Sequence, residues 1–277
     1  MSRSGDLDSI TIAARSALLD ALEALGAHRD EVIVVGAQAV YLRTKRASVA
    51  IAEFTKDSDL VLDPRQLAEE PLLENAMHTA GFLPAASNQP GAWVNPNGIP
   101  VDLMVPDALQ GSTGRHRSAR IPPHSDRATR RTVGLEACVV QHTKMTITAL
   151  DPADKRSAEA HVASTAALIV AKIHKIHERV DSRRVLSNKD AYDVYRLLVA
   201  ETNTAALANS FRELLAHPVS ESITNQAVNW LGELFESETA IGSQMAGQTE
   251  AGLGDPEQVA ISAHLMVDDL LKAVSNL

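Results

Sequence analysis

The stretch TKDSDLVLD, residues 55–63, constrains the fold more than any other part of the chain. Its apolar end reads as a β-strand, yet it opens with Asp57 and Asp59, which share a face because side chains i and i+2 of a strand point the same way. Aspartate is depleted in strands, and two on one face repel each other unless water or a cation lies between them. The plain structural reading is a solvated strand entrance. The chemical reading is a magnesium site, because carboxylates roughly 6–7 Å apart along a strand reach into one small volume. Magnesium takes carboxylate oxygens there and keeps water and phosphate oxygens as its other ligands. Asp102, the lone acid in the apolar run IPVDLMV (99–105), is the candidate third ligand of a two-metal site, since a mid-strand aspartate needs a partner to offset its burial.

Around these residues the pattern of elements is mixed. Residues 7–25 carry helix-spaced apolar positions ending at Gly26. EVIVVG (31–36) is a β-branched run stopped by glycine, and AQAVYLR (37–43) suits a short helix, giving a strand, a tight turn and a helix N-terminus in succession. Pro64 is expected to start a helix running to about Ala80, with Gly81 closing it, and residues 92–106 to form a hairpin. VGLEACVV (133–140) and KMTITAL (144–150) read as strands. Beyond Asp151-Pro152 the pattern is helical, apart from a connection at IGSQMAGQTEAGLG (241–254). This predicts an α+β fold, a mixed sheet with flanking helices over residues 1–150 followed by a helical C-terminal domain over 151–277.

Composition excludes several functions. A single cysteine, Cys138, leaves neither a disulfide framework nor a cysteine zinc site, and suits a reducing compartment. The N-terminus lacks the apolar core of a signal peptide and no run is long enough to span a membrane, so the expectation is a cytoplasmic protein with no membrane partner. Phosphate-loop, dinucleotide and serine-hydrolase motifs are absent, and aromatic residues make up only 3% of the chain, which argues against a base-stacking platform. His174 and His177, at i and i+3 of a helix, lack a third zinc ligand nearby and read as helix-surface residues. The net charge of −9 is unevenly placed: residues 201–277 hold eleven acids against Arg212 and Lys272 and account for all of it. Residues 114–131, GRHRSARIPPHSDRATRR, hold six arginines against Asp126 and read as a loop, either solvated or able to grip phosphates.

VIVVGAQAVYLR, TKDSDLVLD and PVDLMV in this order resemble the nucleotidyltransferase superfamily of DNA polymerase β. That resemblance implies transfer of a nucleoside monophosphate from an NTP to an acceptor hydroxyl. Asp57 and Asp59 would hold two Mg2+ ions, Asp102 the metal beside the attacking hydroxyl, and Gly36 with the N–H groups of Ala37 and Gln38 would face the triphosphate. KIHKIHER (172–179) followed by SNKDAYDVYRLL (187–198) is similar to the AbiEii-type nucleotidyltransferases, which include type IV toxin–antitoxin toxins and the mycobacterial MenT toxins. That likeness implies that Lys172 contacts the triphosphate, that Asp190 or Asp193 supports the site, that a cognate antitoxin exists, and that the acceptor is RNA, the 3′ end of tRNA. Arg115, Arg117 and Arg120 are the candidates for gripping it. Ala37 stands where the superfamily has a second glycine or a serine. Read from the residues alone, Lys172, Lys175 and Arg179 share one helix face beside an apolar stripe, and Asp190 and Asp193 can pair with neighbouring cations. Two other functions fit the same fold: a nucleotidyltransferase acting on a small cationic molecule such as an antibiotic, and a binding protein that has lost the chemistry.

Overall fold

The computed structural model describes residues 9–45, 49–50, 54–110, 117–182 and 188–275. The chain divides into two compact units with interleaved segments: residues 1–39, 53–132 and 142–163 form the first, and 40–52, 133–141 and 164–277 the second. The result is an open mixed sheet with flanking helices and a helical C-terminal region, the α+β class expected from the order of elements.

The first unit contains α1 (Ser9–Ala24), β1 (Val32–Val35), the start of α2 (Gly36–Arg43), β2 (Ser58–Leu62), α3 (Leu73–Thr79), β3 (Leu83–Pro84), β4 (Ala92–Val94), β5 (Pro100–Pro106), β6 (Arg130–Thr132), β7 (His142–Thr148) and β8 (Ser157–Ala163). Its strands lie in the order β3-β4-β5-β2-β1-β8-β7, with β6 also pairing to β5. The all-β-branched β1 is buried along its length, antiparallel to β2 and parallel to β8, while β2 runs parallel to β5. Ser58 Oγ donates to the Ala14 carbonyl at 2.9 Å, so α1 covers the Ser58, Leu60 and Leu62 face of β2. Alternation then turns Asp57 and Asp59 to the opposite face.

Local features explain where the expected elements shift. The helix expected from Pro64 begins only at Leu73, because the Asp63 carboxylate accepts from the Arg65 backbone N–H at 3.0 Å and holds a turn. The alanine-rich tract 157–163, expected as helix, is a strand because it fills the place between β1 and β7, with Val162 opposite Val34 and all seven residues of β7 paired to it. The hairpin expected over 92–106 is present as β4 and β5.

The second unit holds α4 (Glu136–Val140), α5 (Thr165–Asp181), α6 (Asn188–Ala200), α7 (Thr204–Ala216), α8 (Glu221–Leu234), α9 (Ile241–Gln248) and α10 (Pro256–Ser275). The segment VGLEACVV is the helix α4, not a strand: Gly134 has φ +88°, and the fully buried Glu136 accepts from its N–H at 2.9 Å, reversing the chain. The segment expected as a connection contains α9, whose small residues let elements close in; a Cβ on Gly242 would come within 2.7 Å of the Leu234 carbonyl. Among the described residues no helix is long and apolar enough to cross a membrane.

Candidate active site

The three aspartates of the sheet are brought together by strand register. Asp59 lies opposite Val35 of β1 on one side and Asp102 of β5 on the other. In-register neighbours of a parallel pair project to the same face about 4.8 Å apart, so the two carboxylates stand side by side. Asp57 precedes β2 by one residue, and its Oδ1 accepts from the Thr55 hydroxyl at 2.9 Å. All three aspartates are partly exposed.

Gly36 ends β1 and begins α2 with φ +64°, a left-handed conformation that favours glycine. A Cβ there would collide with Asp59 Oδ2 and lie 2.8 Å from its Cγ. The turn that opens the helix is thus pressed against the middle carboxylate, and the free N–H groups of the first helical turn start beside it. Ala37 and Gln38 are buried; Gln38 Oε1 accepts from the Nε of the buried Arg15 at 2.8 Å, and Gln38 Nε2 is buried without a hydrogen-bond partner among the described residues.

Asp102 carries an ion pair that sequence reading missed: its Oδ2 lies 2.8 Å from Arg130 Nη2. No local signal links residues so far apart in the chain; the contact follows from β6 pairing with β5, which sets Arg130 opposite Met104, two residues beyond Asp102. The donor set has the hard oxygen chemistry magnesium requires, and the guanidinium marks Asp102 as a place where positive charge settles. Among the described residues no three His, Cys, Asp or Glu side chains stand gathered on one point as around a metal ion, so Asp57, Asp59 and Asp102 would have to draw together to ligate one.

From Arg117 onward the arginine segment is tied down by contacts within its unit. Ser118 bridges Arg130, Ala119 N–H donates to the Thr129 carbonyl at 3.2 Å, and His124 accepts from the Leu73 N–H at 3.2 Å on Nδ1 while its Nε2 contacts the Ala68 carbonyl at 3.1 Å. Burial and then the nearby His28 lower the pKa of His124. Arg127 donates to Asn88, and Arg131 pairs with Asp107 at 2.5 Å. Arg117 and Arg120 are exposed, and Arg115 lies outside the described residues.

In the helical unit Lys172, Asp190 and Asp193 meet in a closed cluster. Lys172 Nζ donates to Asp190 Oδ1 at 2.9 Å and to Asp193 Oδ2 at 2.6 Å, and all three side chains are at most 7% exposed. Arg179 Nη1 reaches Asp190 Oδ2 at 2.6 Å and Lys175 Nζ lies 3.3 Å from Asp190 Oδ1. Burial alone would lower the pKa of Lys172, but the facing Asp193 and Asp190 outweigh it and hold the ammonium above its usual range. Burial likewise works against ionised Asp190, and Lys172, Lys175 and Arg179 override it, leaving that carboxyl well below its usual range. One turn further along α6, the buried Arg196 lies over the rings of Tyr41 and Tyr192, 5.3 and 5.8 Å from their centroids. His174 and His177 pack on Trp230, and Nε2 of His174 lies 2.9 Å from the Ile223 carbonyl; His174 is buried, not the helix-surface residue its spacing suggested.

No curated protein sequence matches the chain. A family model described as "Nucleotidyl transferase AbiEii toxin, Type IV TA system" matches residues 17–239. That span carries the three sheet aspartates, the Gly36 turn and the lysine–aspartate cluster, and it covers well over half of the sequence. The chain therefore belongs to the AbiEii nucleotidyltransferases, a family of type IV toxin–antitoxin toxins.

Proposed function

We propose that this chain transfers a nucleoside monophosphate from an NTP to a hydroxyl of RNA, the 3′ end of a tRNA, with Mg2+ held by Asp57, Asp59 and Asp102. The observation that carries the reading is the placement of Asp59, pressed against the Gly36 turn on one side and beside Asp102 on the other. Hard cation ligands and the N–H groups of a helix start thus adjoin, which is what a metal-bound polyphosphate requires. When bound, magnesium supplies charge stabilisation to the entering and leaving oxygens of an in-line displacement. The chain's own contributions are specific. Asp57 is oriented by the Thr55 hydroxyl, the first N–H groups of α2 receive phosphate oxygens, and Asp102 is the acid nearest the incoming hydroxyl.

For RNA, the support is the family resemblance together with Arg117 and Arg120, exposed on a segment whose other described arginines are engaged within the fold. Two guanidinium forks on an anchored segment suit a phosphate backbone. Lys172 acts, in this reading, inside its own unit: with Asp190 and Asp193 it ties α5 to α6, and it reaches a phosphate only by leaving both. A cognate antitoxin is the partner implied by the family.

The deciding experiment incubates the protein with each α-labelled NTP, Mg2+ and total cellular RNA. Label from one NTP on RNA of tRNA size is expected, and it should disappear with EDTA. Label appearing only on a small molecule overturns the RNA acceptor, and Mg2+-dependent NTP binding without transfer overturns the catalytic reading.

A further inference from the structure

We infer that Arg130 is a built-in counter-cation of Asp102 which an incoming divalent cation must displace, so that one guanidinium couples metal binding to nucleotide binding. This rests on the proposed metal role of Asp57, Asp59 and Asp102.

The backbone is built to deliver Arg130 there. Gly91, with φ +71°, packs against the strands so closely that a Cβ would collide with the Leu103 carbonyl and lie 2.5 Å from the Arg130 nitrogen. Its N–H donates to the Arg127 carbonyl at 2.9 Å, and its carbonyl accepts from the Leu103 N–H at 2.8 Å. Arg130 therefore enters the sheet at a fixed register, opposite Met104, and its Nη2 contacts both Asp102 Oδ2 at 2.8 Å and the Met104 sulfur at 3.3 Å.

The chemistry at this point is competitive. Asp59 and Asp102 are like charges in neighbouring register, a costly arrangement until a cation sits beside them. Arg130 supplies that charge at Oδ2, and a divalent ion approaching the same carboxylate repels the guanidinium beside it. A lysine or histidine could yield by losing its proton; an arginine cannot, so it must move. The pair is also free enough to open. Its side chains are 25% and 21% exposed, against 7% or less for Lys172, Asp190 and Asp193. The displaced guanidinium then lacks an anion, and a polyphosphate arriving with the cation offers two oxygens in the geometry an arginine fork prefers. Divalent cation and nucleotide should each raise the other's affinity, by the reciprocity of linked binding.

The test titrates Mn2+ into the full chain by calorimetry, with and without a non-hydrolysable α,β-methylene NTP analogue. Against wild type, Arg130→Gln should bind Mn2+ alone about 5- to 10-fold more tightly, as expected for removing one partly exposed competing charge, and should gain less from the analogue. Equal or weaker Mn2+ binding by folded Arg130→Gln protein, or an unchanged gain from the analogue, overturns the inference. Should that variant fail to fold, Arg130→Lys carries the same test, because an ammonium without the fork should also release Asp102 more readily. Failure of the underlying reading looks different: wild type would bind no Mn2+, or would bind it equally well after Asp57→Ala and Asp59→Ala.

Discussion

The two units each hold a group of carboxylates facing cations, and the groups differ in closure. Asp190 and Asp193 lie at most 4% exposed, with Lys172, Lys175 and Arg179 supplying three positive charges. Asp57, Asp59 and Asp102 are partly exposed, and Asp102 pairs with the likewise partly exposed Arg130. A buried cluster supplied with its own counter-charges holds helices together, and removing one member leaves a charge buried and uncompensated. A half-open carboxylate row leaves its oxygens within reach of solvent, as the proposed Mg2+ role requires. Acidic residues that looked alike in the sequence therefore sit in different surroundings.

The sharpest way to break this contrast is Asp59→Asn. It should lower nucleotidyl transfer by about a thousandfold, roughly 4 kcal/mol of barrier, with the fold retained by circular dichroism. Near-normal transfer would remove Asp59 from the chemistry. Lys172→Met should do the reverse, lowering unfolding free energy in urea by about 3–5 kcal/mol because Asp190 and Asp193 stay buried with less compensation; a loss below about 1 kcal/mol would end its structural assignment. Gly36→Ala should combine both kinds of effect at smaller scale: about 1–2 kcal/mol of left-handed strain, and reduced transfer as Asp59 is pushed aside.

Acid should act on the two units through different groups. Burial lowers the pKa of His124 in the first unit and of His174 in the second, so both bind fewer protons folded than unfolded. Their contribution is complete above the unfolded value of about 6.5 and is lost as pH falls through the folded one. Asp190, also held low, keeps its contribution until pH drops below about 4. Melting temperature should hold steady from pH 8 to 7 and decline below about 6.5, and His124→Gln should flatten that decline. The smallest effect on stability belongs to Arg117→Ala with Arg120→Ala, within about 0.5 kcal/mol, while RNA labelling weakens and the slope of log affinity against log salt flattens by about two if each contacts one phosphate.

Much of the sheet was legible because its signals are local. The β-branched VIVV, the glycine after it, the two aspartates at i and i+2 and the turn-rich centre of the hairpin each announce an element within a few residues. Elements that depend on distant neighbours were not. Tract 157–163 is a strand because β1 and β7 flank it, and α9 is a helix because its glycines admit close packing that no window of sequence displays. At the site, the candidates Asp57, Asp59 and Asp102 were readable as unusual residues in strands. Arg130 was one of six arginines with nothing to set it apart until β6 was seen beside β5. Lys172, Asp190 and Asp193 could be picked out by family resemblance, but their burial and mutual contact could not, since residues 18 and 21 positions apart meet only through the packing of α5 on α6.

Asp59 follows Gly36 by more than twenty positions, yet its carboxylate lies against the glycine because Val35 and Asp59 are partners across a ladder. What holds the turn and the acid together is hydrogen-bond register, and the length of chain between them is immaterial to that contact. Register is a digital quantity: slipping β2 by one residue would set Ser58 or Leu60 against Val35 and rotate Asp59 toward α1. If Asp59 carries the chemistry as proposed, a misregistered molecule would be inert rather than weaker, and the active fraction of a preparation should report the fidelity of a single strand pairing.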